Sequence, residues 1–133
     1  MLPSITVLVV DDVPLSLHYT QAALRKLGFE EVYSAQHCTE ALEVVVRQTI
    51  GLVLVGLQMP GMTGLELIMR LRSRSDFRAL PVILMTAEEG SSRAEEKGRM
   101  KPNAYLVKPF TIAKFGETIT RVLKECGHTV CSN

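Results

Sequence analysis

No run of about 20 consecutive apolar residues occurs in the sequence, so it offers no candidate membrane-spanning helix. Met1-Leu2-Pro3-Ser4 lacks the basic region and cleavage pattern of a secretory signal, and a cytoplasmic protein is expected. Cysteine is scarce. Cys38, Cys126 and Cys131 are an odd number without framework spacing, which argues against a disulfide scaffold and fits reduced thiols. Cys126, His128 and Cys131 are close enough to suggest a metal site, but zinc needs a fourth ligand and a firm scaffold, so incidental thiols on a fraying tail are expected. A dominant charge sign is also missing. With 15 Lys and Arg against 14 Asp and Glu, the net charge is +1 and there is no global nucleic-acid footprint. A hydrophobic content of 47% excludes a disordered chain. No internal repeat, low-complexity segment or linker interrupts the 133 residues, which are enough for one domain and too few for two. The folded domain is expected over 1–127, with 128–133 as a C-terminal tail.

What is present is a regular alternation. Ile5 to Val10 is an apolar, β-branched run suited to a strand buried on both faces, and it stops at Asp11-Asp12. Pro14 fits the first turn of a helix in which Leu17, Thr20, Ala23, Leu24 and Leu27 recur at helical spacing, and Gly28 is a natural C-terminal cap. Glu31 to Ala35 predicts a second strand. Thr39 to Gln48 predicts a second helix with Ala41, Leu42 and Val45 inward. Gly51 to Gly56 is a third strand, followed by a Met59-Pro60-Gly61 turn. Thr63 with Glu66 three residues on forms a capping box for a helix directing Leu65, Ile68 and Met69 to the core. Arg70, Arg72, Arg74 and Arg78, near and beyond its end, read as a solvated face that suits the helix dipole. Pro81 to Met85 and Ala104 to Val107 are strands four and five. Ile112 to Cys126 is an amphipathic helix capped by Thr111, with Ile112, Phe115, Ile119, Val122 and Leu123 on one stripe.

Such alternation with short connections implies an α/β fold: a single doubly wound (βα)5 domain with a five-stranded parallel sheet, order 2-1-3-4-5, flavodoxin-like. One segment fits poorly. Between Glu88 and Pro102 only Ala94 and Met100 are appreciably apolar, and Gly90 and Gly98 each cost a helix about 1 kcal/mol against alanine. A helix there is expected to be short, mobile or displaced.

Ligands of such sheets sit at the carboxyl ends of the strands. Those ends carry Asp11 and Asp12, Gly56, Thr86 and Lys108. Singly, each has a structural reading: the acids as a helix cap, the threonine as turn chemistry, the lysine as an ordinary surface charge. Together, two carboxylates suit Mg²⁺, while a hydroxyl and an ammonium suit phosphate oxygens. A flavodoxin-type mononucleotide binder fits less well, because no glycine-rich phosphate loop follows strand one and its two acids repel phosphate.

Four pieces, Val7-Leu8-Val9-Val10-Asp11-Asp12, Gln58-Met59-Pro60-Gly61-Met62-Thr63-Gly64, Leu84-Met85-Thr86-Ala87 and Tyr105-Leu106-Val107-Lys108-Pro109-Phe110, cover nearly the whole chain in order and spacing. On them, the sequence resembles the receiver domain of bacterial two-component response regulators, closest in size to the stand-alone chemotaxis type. The resemblance implies a signalling protein of a phosphorelay rather than an enzyme. Asp11 and Asp12 match a metal-binding acidic pair, and the Gln58 carbonyl matches a third Mg²⁺ ligand. Thr86 and Lys108 match residues that engage the phosphoryl group, Tyr105 the aromatic that switches with Thr86, and Lys108-Pro109 a peptide bond usually cis in the family.

Two departures stand out. Gly56 falls where the family has the aspartate that accepts phosphate from a histidine kinase, and glycine can neither attack phosphorus nor hold metal. Thr63 or the Asp11/Asp12 pair are conceivable surrogates, though none is expected in line. With one acid fewer, Mg²⁺ affinity should fall and Lys108 should pair with Asp11 or Asp12. Lys101-Pro102-Asn103, where the family has small residues, alters the surface beside strand five. Output is expected through contact with a histidine kinase or a downstream target, on the face of the 88–102 segment, strand five and the last helix, from a monomer or weak dimer without nucleic-acid or membrane binding. The other readings are an active phospho-switch with a surrogate acceptor, and an inactivated variant of a normal regulator.

Overall fold

A computed structural model describes residues 5–87 and 101–127. The strands are β1 (Val7–Val10), β2 (Val32–Ala35), β3 (Leu52–Gly56), β4 (Val82–Thr86) and β5 (Ala104–Val107). The helices are α1 (Pro14–Lys26), α2 (Cys38–Arg47), α3 (Gly64–Arg72) and α4 (Ile112–Glu125), with a short 3₁₀ turn at Ser75–Phe77. All strand pairings are parallel and the order is β2-β1-β3-β4-β5, as the alternation predicts. The element bounds differ from the sequence reading by one or two residues at their ends, where helices and strands fray.

Because side chains alternate along a strand, each apolar run supplies two cores. Val7, Val9, Leu54, Ile83 and Met85 pack with Leu17 and Leu24 of α1 and with Phe115, Ile119, Val122 and Leu123 of α4. Leu8, Val10, Val53, Val55 and Leu84 pack with Ala41 and Val45 of α2 and with Leu67, Ile68 and Leu71 of α3. The middle strands β1, β3 and β4 are buried throughout, so they need continuous apolar sequence rather than alternation.

Local chemistry fixes the joints. Gly28 ends α1 with φ 107°, in the left-handed region that favours glycine. Gly64 must be glycine for a steric reason: a Cβ there would run into the Gly56 carbonyl oxygen. Thr63 caps α3 as expected. Its hydroxyl accepts from the Glu66 amide at 3.2 Å, and the Glu66 carboxylate accepts from the Thr63 amide at 2.9 Å.

Two expectations for α3 need correction. Its inward face is Gly64, Leu67, Ile68 and Leu71, whereas Leu65 is only partly buried and Met69 is 51% exposed. The helix begins at Gly64 against the end of β3, and that contact sets the phase. The arginines do not form a uniformly solvated face. Arg72 is 6% exposed and donates to the carbonyls of Leu80 at 2.6 Å and Arg78 at 3.2 Å, and to Asn103 Oδ1 at 2.8 Å. It ties α3 to the entrances of β4 and β5. The expected short or displaced helix in the 88–102 segment falls on 88–100, outside the described residues, as do the 128–133 tail, His128 and Cys131.

Candidate functional site at the carboxyl ends of the strands

The register of the sheet brings the ends of β1, β3, β4 and β5 together. Asp11 follows β1, and its amide continues the ladder to the Ala35 carbonyl at 3.0 Å. Its side chain is 2% exposed, and both carboxylate oxygens are engaged. Oδ1 accepts from the Val13 amide at 3.1 Å. Oδ2 accepts from Ser16 Oγ at 2.6 Å and from Lys108 Nζ at 3.1 Å. Lys108 Nζ also donates to Ser16 Oγ at 3.0 Å, which closes a triangle of carboxylate, hydroxyl and ammonium. With the lysine side chain only 28% exposed, this ion pair is shielded from water on most sides and is stronger than a surface pair.

Gly56 is the last residue of β3, fully enclosed and paired with Met85. The nearest atoms to a Cβ built there are the Val10 carbonyl oxygen at 3.8 Å and Asp11 Cγ at 3.9 Å. Those are ordinary van der Waals distances, so the backbone does not demand glycine, and a side chain at this position would stand beside the Asp11 carboxylate. Thr86 ends β4 and is buried; its carbonyl accepts from the Lys108 amide at 2.8 Å. The Lys108–Pro109 bond is cis. Asp12 is half-buried next to Asp11, and Gln58 is exposed two residues past Gly56. Tyr105, partly buried on β5, packs against the core on the α2 and α3 side. Tyr19 Oη donates to the Phe110 carbonyl at 2.9 Å, bracing the turn after Lys108 against α1.

Of the residues singled out from sequence, Asp11 and Lys108 thus bond directly, Gly56 lies beside Asp11, and Thr86 is joined to Lys108 through the backbone. The Thr63 hydroxyl is committed to its cap. Ser16 was not singled out. Its signal is Pro14, which starts α1 two residues earlier and fixes the turn that brings Ser16 back over the end of β1. Among the described residues no group of three or more His, Cys, Asp or Glu side chains could hold a metal. A divalent cation approaching Asp11 Oδ2 meets the Lys108 ammonium already bonded there.

Nearby, the buried Cys38 thiol donates to the Met62 carbonyl at 3.2 Å. Burial, and secondarily the Glu66 carboxylate, pushes its pKa up to about 11, so it stays a neutral thiol. Arg72 is shifted down, chiefly by burial.

Residues 7–120 match the response regulator receiver domain family. Chemotaxis protein CheY1 of Helicobacter pylori is 36% identical over 117 residues, which cover 87% of this chain and 94% of that protein. CheY-3 of Vibrio cholerae is 30% identical over 89% of this chain and 91% of its own length. Among solved structures, the chemotaxis response regulator CheY4 of Vibrio cholerae superposes with a TM-score of 0.82 at 28% identity, covering 91% of this chain and all of that one. The receiver domain of a Pseudomonas aeruginosa sensor histidine kinase superposes with a TM-score of 0.81 at 25% identity over 92% of this chain and 99% of its own, and it holds a magnesium ion in its active-site cleft.

Proposed function

This chain belongs to the response regulator receiver domain family of two-component signalling, and from that premise we propose that it acts by protein contact without accepting phosphate at position 56. The observation that carries this reading is Gly56 beside Asp11. An acyl phosphate requires a carboxylate nucleophile, and the residue at the end of β3 has no side chain. Asp11 and Asp12 keep the place of the acidic pair, Gln58 that of a carbonyl ligand, Thr86 and Lys108 that of phosphoryl-binding groups, and Thr86 with Tyr105 that of a switch.

In this reading Lys108 takes over Asp11, and Mg²⁺ binding is weakened accordingly. The pair closes the pocket from inside, so the conformation presented to a partner is not governed by an acyl phosphate at position 56. The partner is a histidine kinase or a downstream target. The surface suited to it is formed by β5 and α4, where Tyr105, Pro109, Phe110, Lys114 and Arg121 line a shallow depression with cationic and aromatic groups.

Incubation with acetyl phosphate, followed by hydroxylamine treatment and intact-mass measurement, tests the reading. The native chain is expected to carry no hydroxylamine-labile phosphoryl group, and Gly56→Asp is expected to gain one. Because a Cβ at position 56 clashes with nothing, that variant should keep its fold. A hydroxylamine-labile adduct on the native chain contradicts the proposal.

A further inference from the structure

Ser16 bonds to both charged groups of the site. Its Oγ donates to Asp11 Oδ2 at 2.6 Å, the shortest of the contacts about that carboxylate, and accepts from Lys108 Nζ at 3.0 Å. Asp11 is itself oriented by the Val13 amide on Oδ1 at 3.1 Å. This is the arrangement of an activated nucleophile: a hydroxyl, a base within hydrogen-bond reach, and a third group that fixes the base. A fourth part is present as well, because the lysine ammonium lies where negative charge develops on a transferred phosphoryl group. Ser16 is half-buried, so a small donor can reach it.

We propose that Ser16 is a phosphoryl acceptor of this protein, taking the group from an acyl phosphate or phosphohistidine donor. The donor class rests on the two-component reading above; the acceptor does not. With an acyl phosphate, the Ser16 Oγ–P bond forms as the bond from phosphorus to the acyl oxygen breaks. The Ser16 proton passes to Asp11 Oδ2 and leaves with the carboxylic acid released. No oxidant or reductant is involved. The product is a phosphate ester, stable to hydroxylamine, whereas an acyl phosphate on Asp11 or Asp12 is cleaved by it. Its oxygens compete with Asp11 for Lys108, so modification opens the ion pair that otherwise closes the pocket.

The test uses the full chain with acetyl phosphate, intact-mass measurement before and after hydroxylamine, and fragmentation of the modified peptide. The expected result is one hydroxylamine-resistant phosphoryl group on Ser16, lost in Ser16→Ala and retained in Ser16→Thr, with circular dichroism of both variants matching the native chain. An unmodified native chain overturns the inference and leaves the proposed function standing. A resistant adduct that persists in Ser16→Ala also overturns it. A hydroxylamine-labile adduct on the native chain overturns both.

Discussion

Asp11 is held by three protein donors, one of them a lysine ammonium, and that crowding governs the chemistry at the residue scale. Cys38 is a second side chain governed by its surroundings. Its pKa in the folded chain is raised to about 11 from the usual 9.0, so the unfolded chain loses the proton first as pH rises. Stability from this thiol is therefore complete below about pH 9 and declines between that value and about 11. Urea midpoints measured across this window should fall less steeply for Cys38→Ala than for the native chain; equal slopes would remove the thiol from the explanation. The pairing of Lys108 with an acid of strand one was legible in sequence, because each residue directly follows an apolar strand and a parallel sheet puts all its strand ends on one edge. Ser16 was not. A serine in the first turn of a helix reads as local backbone chemistry until the helix direction is known.

At the scale of elements, α3 is instructive because its start was legible and its far end was not. Thr63 and Glu66 announce the capping box by spacing alone, and both reciprocal bonds form. Met69 misleads because an apolar residue at helical spacing need not face the core, and the contact of Gly64 with β3 sets the rotation. Arg72 misleads because cations at a helix end are usually solvated. Here the aliphatic stem is covered while the guanidinium satisfies carbonyls of the loop before β4 and, through Asn103 Oδ1, the edge of β5; the same oxygen accepts from the Val82 amide at 2.8 Å. Asn103 belongs to the tripeptide singled out from sequence, and this bond gives it a structural role. Hydrogen bonds to a charged group are worth about 1.5–3 kcal/mol each, and Arg72→Ala removes those to Arg78, Leu80 and Asn103, so a loss of about 3 kcal/mol is expected in urea unfolding. Arg72→Lys should recover only part of it, since a point cation cannot reach Leu80 and Asn103 together. A loss under about 1 kcal/mol for Arg72→Ala would mean that water replaces the guanidinium without cost.

The whole molecule follows from a few rules that the sequence states openly. Strands alternating with helices, under the rule that crossovers are right-handed, leave the order found here as a favoured answer, and that order puts the acids, the glycine, the threonine and the lysine at one end of the sheet. Sequence was less informative where few apolar residues dictate packing, as across 88–102. It was also less informative about electrostatic closure, which depends on angstrom-scale distances between Asp11, Ser16 and Lys108. The proposed lack of a metal-dependent switch belongs to this scale: Gly56 brings no carboxylate to the end of β3, and Lys108 pairs with Asp11. Calorimetric titration of the native chain with Mg²⁺ tests that most directly. Expected is the absence of a tight, one-to-one binding isotherm at neutral pH; a tight, stoichiometric Mg²⁺ site in the unaltered protein would contradict it.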